Sequence, residues 1–243
     1  MFRACWLVLV VAATLLLAPA SAQPQSPYRT GEQIVVELYT SQGCDTCRRA
    51  NRLLGQLAAS PDVIAITFPV DYWDYLGWRD TFASSDFTQR QRRYWRSLHA
   101  RSLYTPEIVM NGAAHVNAAS AERVTDLLAT FRAAPVHQGP RVTIERSGAG
   151  ARVFVGRGRP HNPPADVWIV PFDPGPVWET VRTGDNAGHR VVHYNLAQGL
   201  SRIGAWTGEP ARYEHRYCRR QCAVIVQERN GGPVIAAART PAS

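Results

Sequence analysis

The sequence predicts an α/β domain followed by a smaller all-β, sandwich-like domain. Three observations carry that prediction. Up to residue 135, apolar runs of strand length alternate with segments whose apolar residues recur at helical spacing. From Gly139 onward glycine and proline rise, and short alternating runs replace the helical ones. Between the first apolar run and the first helical segment stands Gly43-Cys44-Asp45-Thr46-Cys47, a Cys-x-x-Cys at a strand-to-helix junction. With 243 residues, 45% of them hydrophobic, the chain has material for one large or two ordinary domains. The segments that follow are 1–22 as an export signal, 23–33 as a flexible lead-in, 34–135 as the α/β domain and 139–240 as the all-β domain.

The signal is read from Arg3 in a short n-region, an apolar stretch over 6–17, and Ala20-Ser21-Ala22 as a small-x-small cleavage site. The apolar stretch is short for a membrane span. The mature chain is therefore expected to begin at Gln23, after Ala22, to carry no transmembrane segment, and to work in the periplasm or outside the cell. Loss of Cys5 with the signal leaves Cys44, Cys47, Cys218 and Cys222, an even set in a compartment where disulfides persist. The net charge is +8 and every basic residue is an arginine, a bias that genome composition accounts for as well as function does. A basic exported protein meets anionic lipids and polysaccharides, so no nucleic-acid partner is expected.

Pro24, Pro27 and Gly31 mark the lead-in. Ile34-Val35-Val36-Glu37-Leu38-Tyr39 is nearly continuous in apolar residues, as a buried central strand requires, and Glu37 is its anomaly. Beyond the cysteines, Ala50, Leu53, Leu54, Leu57 and Ala58 fall at helical spacing until Ser60-Pro61-Asp62 stops the helix. Residues 63–70 read as a second strand, and strand, helix, strand implies a right-handed crossover with parallel pairing. The segment 71–80 is dense in aromatic rings and carboxylates just past that strand end. Its rings, Tyr72, Trp73 and Trp78 among them, either pack as a lid over the sheet edge or wall a substrate groove beside Cys44. Asp71, Asp74 and Asp80 lack the alternating oxygens and glycine of a calcium loop, so no metal is expected there.

Ser85-Asp86 caps the next helix, whose stripe of Phe87, Tyr94, Trp95 and Leu98 is surrounded by Arg90, Arg92, Arg93, Arg96 and Arg101. Thr105-Pro106 opens a strand that reaches Met110, and Asn111-Gly112 turns it into a hairpin. Val124, Leu127, Leu128 and Phe131 line a last helix that ends before Pro135. The predicted order is β-α-β-α-β-β-α.

A Cys-x-x-Cys at a strand-to-helix junction has three readings: a redox dithiol, a structural disulfide, or half of a zinc site. In the first, the helix N-terminus stabilises a thiolate on Cys44, and Cys47 attacks a mixed disulfide formed there. Arg48 and Arg49 favour the Cys44 thiolate, while Asp45 opposes it.

Cys-x-x-Cys at such a turn, followed by Thr-Pro leading into a strand and an Asn-Gly hairpin, resembles the thioredoxin fold. The resemblance implies a cis bond at Thr105-Pro106 facing the dithiol, with the Thr105 backbone pairing to an extended substrate beside Cys44. It also implies that Glu37 relays a proton to or from Cys47. More narrowly, Glu-Leu-Tyr-Thr-Ser-Gln-Gly-Cys at 37–44, Asp-Tyr-Trp-Asp-Tyr-Leu-Gly-Trp at 71–78 and Tyr-Thr-Pro at 104–106 resemble an exported bacterial thioredoxin-like family catalogued as domain of unknown function 1223. The chain departs from thioredoxin in carrying Gly43, where a tryptophan usually precedes the first cysteine.

In the all-β part, strands are expected at 142–144, 153–155, 167–170, 177–181, 190–194, 211–217, 223–227 and 234–238, the last two joined by a turn at Asn230-Gly231-Gly232. Cys218 and Cys222 either close a small disulfide across a turn, form a second thiol pair served by the first, or leave Cys222 as a reduced buried thiol. His189 and His193 are four apart but lie on a strand-like segment, so no two histidines pair at a helical metal spacing. His115, just past the Asn-Gly hairpin, is the one imidazole offered as a further ligand beside the two sulfurs around Cu(I).

The leading expectation is an exported thiol–disulfide oxidoreductase that needs no cofactor. It would act through Cys44 and Cys47 on protein or small-molecule disulfides, with a membrane or periplasmic redox partner to recharge it. Two other readings stay open: a copper-handling module with the two sulfurs as ligands, and a non-catalytic interaction protein whose dithiol is a structural disulfide.

Overall fold

The computed structural model of the chain describes residues 33–134 and 139–241. The expected signal, its cleavage point at Ala22, most of the lead-in, Pro135 and His137 lie outside the described residues. The first apolar run forms β1 (Ile34–Thr40), buried along its whole length. It leads through the cysteine turn into α1 (Cys47–Ala58) and then β2 (Val63–Pro69). A one-turn 3-10 helix over Asp74–Leu76 precedes α2 (Ser85–Ser97), which Ser84 caps by accepting the Asp86 N–H. The hairpin β3 (Glu107–Met110) and β4 (Ala114–Asn117) and the helix α3 (Ala121–Ala133) complete the predicted order.

β1 pairs parallel with β2 and antiparallel with β3, and its alternation divides the interior in two. Val36 and Leu38 meet Ala50, Leu54 and Leu57 of α1 and Val124 and Leu128 of α3. Val35 and Tyr39 meet Phe87 and Tyr94 of α2 on the opposite face. Each such fully buried large apolar side chain is worth about 1.5–3 kcal/mol, so the face of β1 on which a residue falls decides which helix it can serve.

The second half is built of β5 (Val142–Ser147), β6 (Gly150–Val155), β7 (Ala165–Asp173), β8 (Val177–Thr180), β9 (Arg190–His193), β10 (Leu196–Ala197), β11 (Ser201–Trp206), β12 (Ala211–His215), β13 (Gln221–Gln227) and β14 (Val234–Arg239). The eight strands expected there are present. β10 and β11 are additions: β10 is two residues long, and β11 carries Arg202 and Gly204 around a register shift that erases its alternation.

These strands do not form a separate sandwich, and here the sequence-based expectation is corrected. One nine-stranded sheet runs in the order β14-β13-β7-β10-β2-β1-β3-β4, with β11 also on β7, so strands from both sides of residue 139 share it. The reason lies at the outer edge of β2, where an unpaired central strand would leave its polar backbone open. There Thr67 N–H donates to the Asn195 carbonyl, Thr67 Oγ1 to the Tyr194 carbonyl, and Asn195 Nδ2 to the Ala65 carbonyl. β12, β6 and β5 form a small sheet of their own, which packs Val153 and Val155 against Val167, Ile169 and Val224 of the large one. β8 and β9 make a hairpin that lies against α1.

Candidate functional site

β1 delivers the chain to a tight turn at its carboxyl end. Ser41 closes it: its Oγ accepts the Gly43 N–H at 3.0 Å and its carbonyl the Cys44 N–H at 3.3 Å. Cys44 sits in this turn, and Cys47 is the first residue of α1. The two sulfurs are joined as a disulfide, with 5.4 Å between the Cα atoms. Both cysteines are buried, while Asp45 and Thr46 between them are exposed, so the dipeptide is what the surface presents. Thr46 Oγ1 lies 3.6 Å from Cys44 Sγ. The N-terminal turn of α1 contains no acidic side chain to offset its positive dipole end.

The turn is gripped from two directions that lie far apart in sequence. Asp80 accepts the Gln42 N–H at 2.7 Å and the Phe82 N–H at 2.9 Å. Burial drives its carboxyl from the ordinary 3.8 up to about 6, against the pull of those N–H donors. Trp78 Nε1 donates to Gln42 Oε1 at 2.8 Å, and Gln42 Nε2 donates to Thr81 Oγ1 at 3.1 Å. From the second half of the chain, buried Asn186 donates through Nδ2 to the carbonyls of Gln42 and Cys44, at 2.8 and 2.9 Å. Behind Cys47, Asn51 of α1 accepts from Thr40 Oγ1 at 2.8 Å and lies 3.4 Å from His193 Nδ1. His193 is fully buried, and that burial lowers it to about 4, so it is a neutral imidazole.

On the side toward β3, Trp73 packs against Gly43: a Cβ built on that glycine would stand 3.5 Å from the Trp73 Cβ. The Trp73 side chain therefore starts beside the turn. Tyr72 is tilted against Trp73 with centroids 6.2 Å apart. The Tyr72 hydroxyl, Trp73 Nε1 and Gln91 Oε1 are buried beside one another, and Thr105 Oγ1 is buried without a hydrogen-bond partner. The Thr105–Pro106 peptide bond is cis. Next to it, Glu107 accepts from Gln91 Nε2 at 2.7 Å, and its other oxygen lies 2.9 Å from His115 Nδ1. Burial raises Glu107 to about 7 and lowers His115, which favours a neutral pair.

One sequence-based assignment changes. Glu37 is not placed to serve Cys47. It alternates with Val35 and Tyr39 on the α2 face of β1, while Cys47 belongs to α1 on the other face. Its carboxylate is also fully used, by Arg90 Nε and Nη2 at 2.6 and 2.8 Å and by the hydroxyls of Tyr39 and Tyr94 at 2.8 and 2.6 Å. Trp78 Nε1 ties its ring to the cysteine turn through Gln42. Sequence reasoning passed over Asn186, His193 and the grip of Asp80. The signal available for Asp80 was its place in an aromatic stretch after a strand end; Asn186 and His193 gave none, because their partners are so distant in sequence.

Cys218 and Cys222 are both buried and joined as a second disulfide at the start of β13, so the stapled turn is the arrangement present. Among the described residues no three Cys, His, Asp or Glu side chains gather as a metal site, and no helix is long and apolar enough to cross a membrane.

A family model described as Protein of unknown function (DUF1223) matches residues 35–227, which includes the cysteine turn, Asp80, Asn186 and His193. The chain is also similar to a protein from Agrobacterium tumefaciens solved by X-ray crystallography. The two are 28% identical, with a TM-score of 0.73, over 90% of this chain and 97% of the other. No curated protein matches the sequence.

Proposed function

The chain belongs to the DUF1223 family, and we propose that it is an exported thiol–disulfide oxidoreductase with a thioredoxin-like dithiol half. The observation that carries this reading is the Cys44–Cys47 disulfide at the junction of the central strand β1 with the N-terminus of α1. The cis Thr105–Pro106 bond and the order β-α-β-α-β-β-α with parallel β1–β2 and antiparallel β1–β3 pairing support it further.

In the reducing direction, the Cys44 thiolate attacks one sulfur of a substrate disulfide, and the other substrate sulfur leaves as a thiolate that takes up a proton. Cys47 then loses its proton and attacks Cys44 Sγ. The mixed disulfide breaks, the second substrate thiol is released and protonated, and the Cys44–Cys47 disulfide is restored with two electrons passed to the substrate. In the oxidising direction the same steps run backwards. The helix dipole stabilises the Cys44 thiolate, and the hydrogen-bonded frame of Asp80, Trp78 and Asn186 keeps the turn in place through the cycle. Tyr72, Trp73 and Thr105 are the side chains this reading assigns to the approach of an extended peptide, with the cis Thr105–Pro106 bond presenting its backbone.

The test is the reduction potential of the Cys44–Cys47 pair, by equilibration in glutathione and dithiothreitol buffers with thiol alkylation, together with turnover of a model disulfide. A potential between roughly −270 and −120 mV and turnover abolished by Cys44→Ser are the results expected. A potential below about −300 mV, or turnover untouched by Cys44→Ser, makes the pair a staple and ends the proposal.

A further inference from the structure

On the α2 face of the large sheet, away from α1, α2, β7, β11 and the turn after β13 enclose a cavity of about 190 Å³. Arg90, Arg93, Arg202 and Arg229 line it, with Trp168 and a single carboxylate, Asp166. Four guanidinium groups against one lining carboxylate give this half-open cavity a positive local field that draws in anions.

Two of the four have partners. Arg202 Nε donates to Asp166 at 2.6 Å, and Arg90 is bound to Glu37. Arg93 and Arg229 have no carboxylate partner among the described residues; Arg93 lies over the Trp168 ring, 5.1 Å from its centroid. Arg90 adds the more telling feature. It is only 2% exposed, yet all of its hydrogen bonds leave from Nε and Nη2, to Glu37, the Tyr94 hydroxyl and Gln227 Oε1. Nη1 makes none of them, so a nearly buried cation lining the cavity keeps an unused donor. Gln227 and Tyr94, which also line it, are held by each other and by Arg90, so the wall is built before any ligand arrives.

We propose that this cavity binds a small oxyanion of the phosphate type. Arg93 and Arg229 supply the uncompensated charge, Arg90 Nη1 and the free end of Arg202 the remaining donors, and the Trp168 indole one wall. Guanidinium forks match phosphate oxygens in pairs, and a tetrahedral anion accepts them from several directions at once, as donors from α2, β11 and the turn after β13 demand. Free phosphate and the phosphate head of a lipid share this chemistry. The site is independent of the dithiol, and its test does not involve thiol exchange.

Calorimetric titration of the folded protein with inorganic phosphate at pH 7.5 and low salt is the experiment, on wild type, Arg93→Gln, Arg229→Gln and the exposed control Arg212→Gln. Saturable binding at one site is expected, weakened about tenfold or more in each cavity variant and unchanged in the control. A second arm adds vesicles containing phosphatidic acid: displacement of bound phosphate identifies a lipid head group as the ligand, and no displacement identifies the free ion. Absence of saturable phosphate binding by wild type, or an equal loss in Arg212→Gln, overturns the proposal.

Discussion

Asn186 lies 142 residues beyond Cys44 and donates its side-chain amide to the Cys44 carbonyl at 2.9 Å. The same nitrogen reaches Gln42, so one buried amide from the second half of the chain spans the turn that carries the dithiol. With β10 closing the edge of β2 and the β8–β9 hairpin resting on α1, this explains why the two halves share one sheet: the later strands complete the scaffold of the cysteine turn.

Glu37 and Arg90 are both essentially excluded from water. Removing one member of such a pair leaves an uncompensated buried charge, which costs about 3–5 kcal/mol. Arg90→Met is expected to lose that much in urea denaturation. Because Glu37 faces α2, Glu37→Gln is expected to leave the pH profile of thiol exchange where it was. A shifted profile would restore it as a proton relay.

Gly55 lies in α1, where alanine normally gains about 1 kcal/mol over glycine. A Cβ there would meet Cγ, Cδ2 and Cε2 of Tyr194 at 2.8, 2.5 and 2.7 Å. These atoms are close to the root of the side chain and yield little. Gly55→Ala is therefore expected to destabilise by about 1–3 kcal/mol, the cost of overpacking. In a Tyr194→Ala background the same change should stabilise, and a double-mutant cycle by urea denaturation checks the coupling.

Asp80 and Glu107 set a pH dependence whose sign is fixed by burial. Asp80 rises from 3.8 to about 6 and Glu107 from 4.5 to about 7 in the folded chain. Between those limits the folded state holds protons at these two groups that the unfolded state has released, so their contribution to stability falls as pH rises from about 4 to about 7. Buried His193, lowered to about 4, contributes the opposite slope between about 4 and 6.5, so the Asp80 share is read as the difference between wild type and Asp80→Asn. Asp80 alone accounts for roughly 3 kcal/mol. Asp80→Asn should flatten its share of this slope while lowering stability throughout, because one of the Gln42 and Phe82 N–H groups then faces an amide nitrogen. Urea midpoints at pH 4 and pH 7 for both proteins decide it.

What the sequence made legible is what its local pattern encodes. Cys44 and Cys47 are three residues apart, and Ile34 to Tyr39 announces a buried strand by composition alone, so strand, turn and helix were readable together. Glu37 was visible as an anomaly but not in its role, because its partner Arg90 sits on another helix and parity about β1, not sequence distance, decides which helix it meets. The separate sandwich was misread for a related reason. Alternation tells that 165–173 is a strand, but nothing local tells that its edge will meet β10 and, through it, β2. β11 escaped because its register shift breaks the period on which detection rests.

Asn186 offers the sharpest test of the link between the halves. Asn186→Ala removes the side-chain donor from both carbonyls, leaving that of Cys44 with the Cys47 N–H alone and that of buried Gln42 without its donor, at a cost of about 1–3 kcal/mol. The loosened turn should make reduced Cys44 alkylate faster than in wild type, measured by iodoacetamide trapping in native buffer. Asn186→Asp goes further, since at neutral pH it sets a carboxylate against two carbonyl oxygens. Below its own titration the acid again has a proton to give one of them, so the defect of the Asp variant should shrink as pH falls, while that of the Ala variant does not. If both variants alkylate and unfold as wild type does, the second half of the chain does not hold the dithiol turn.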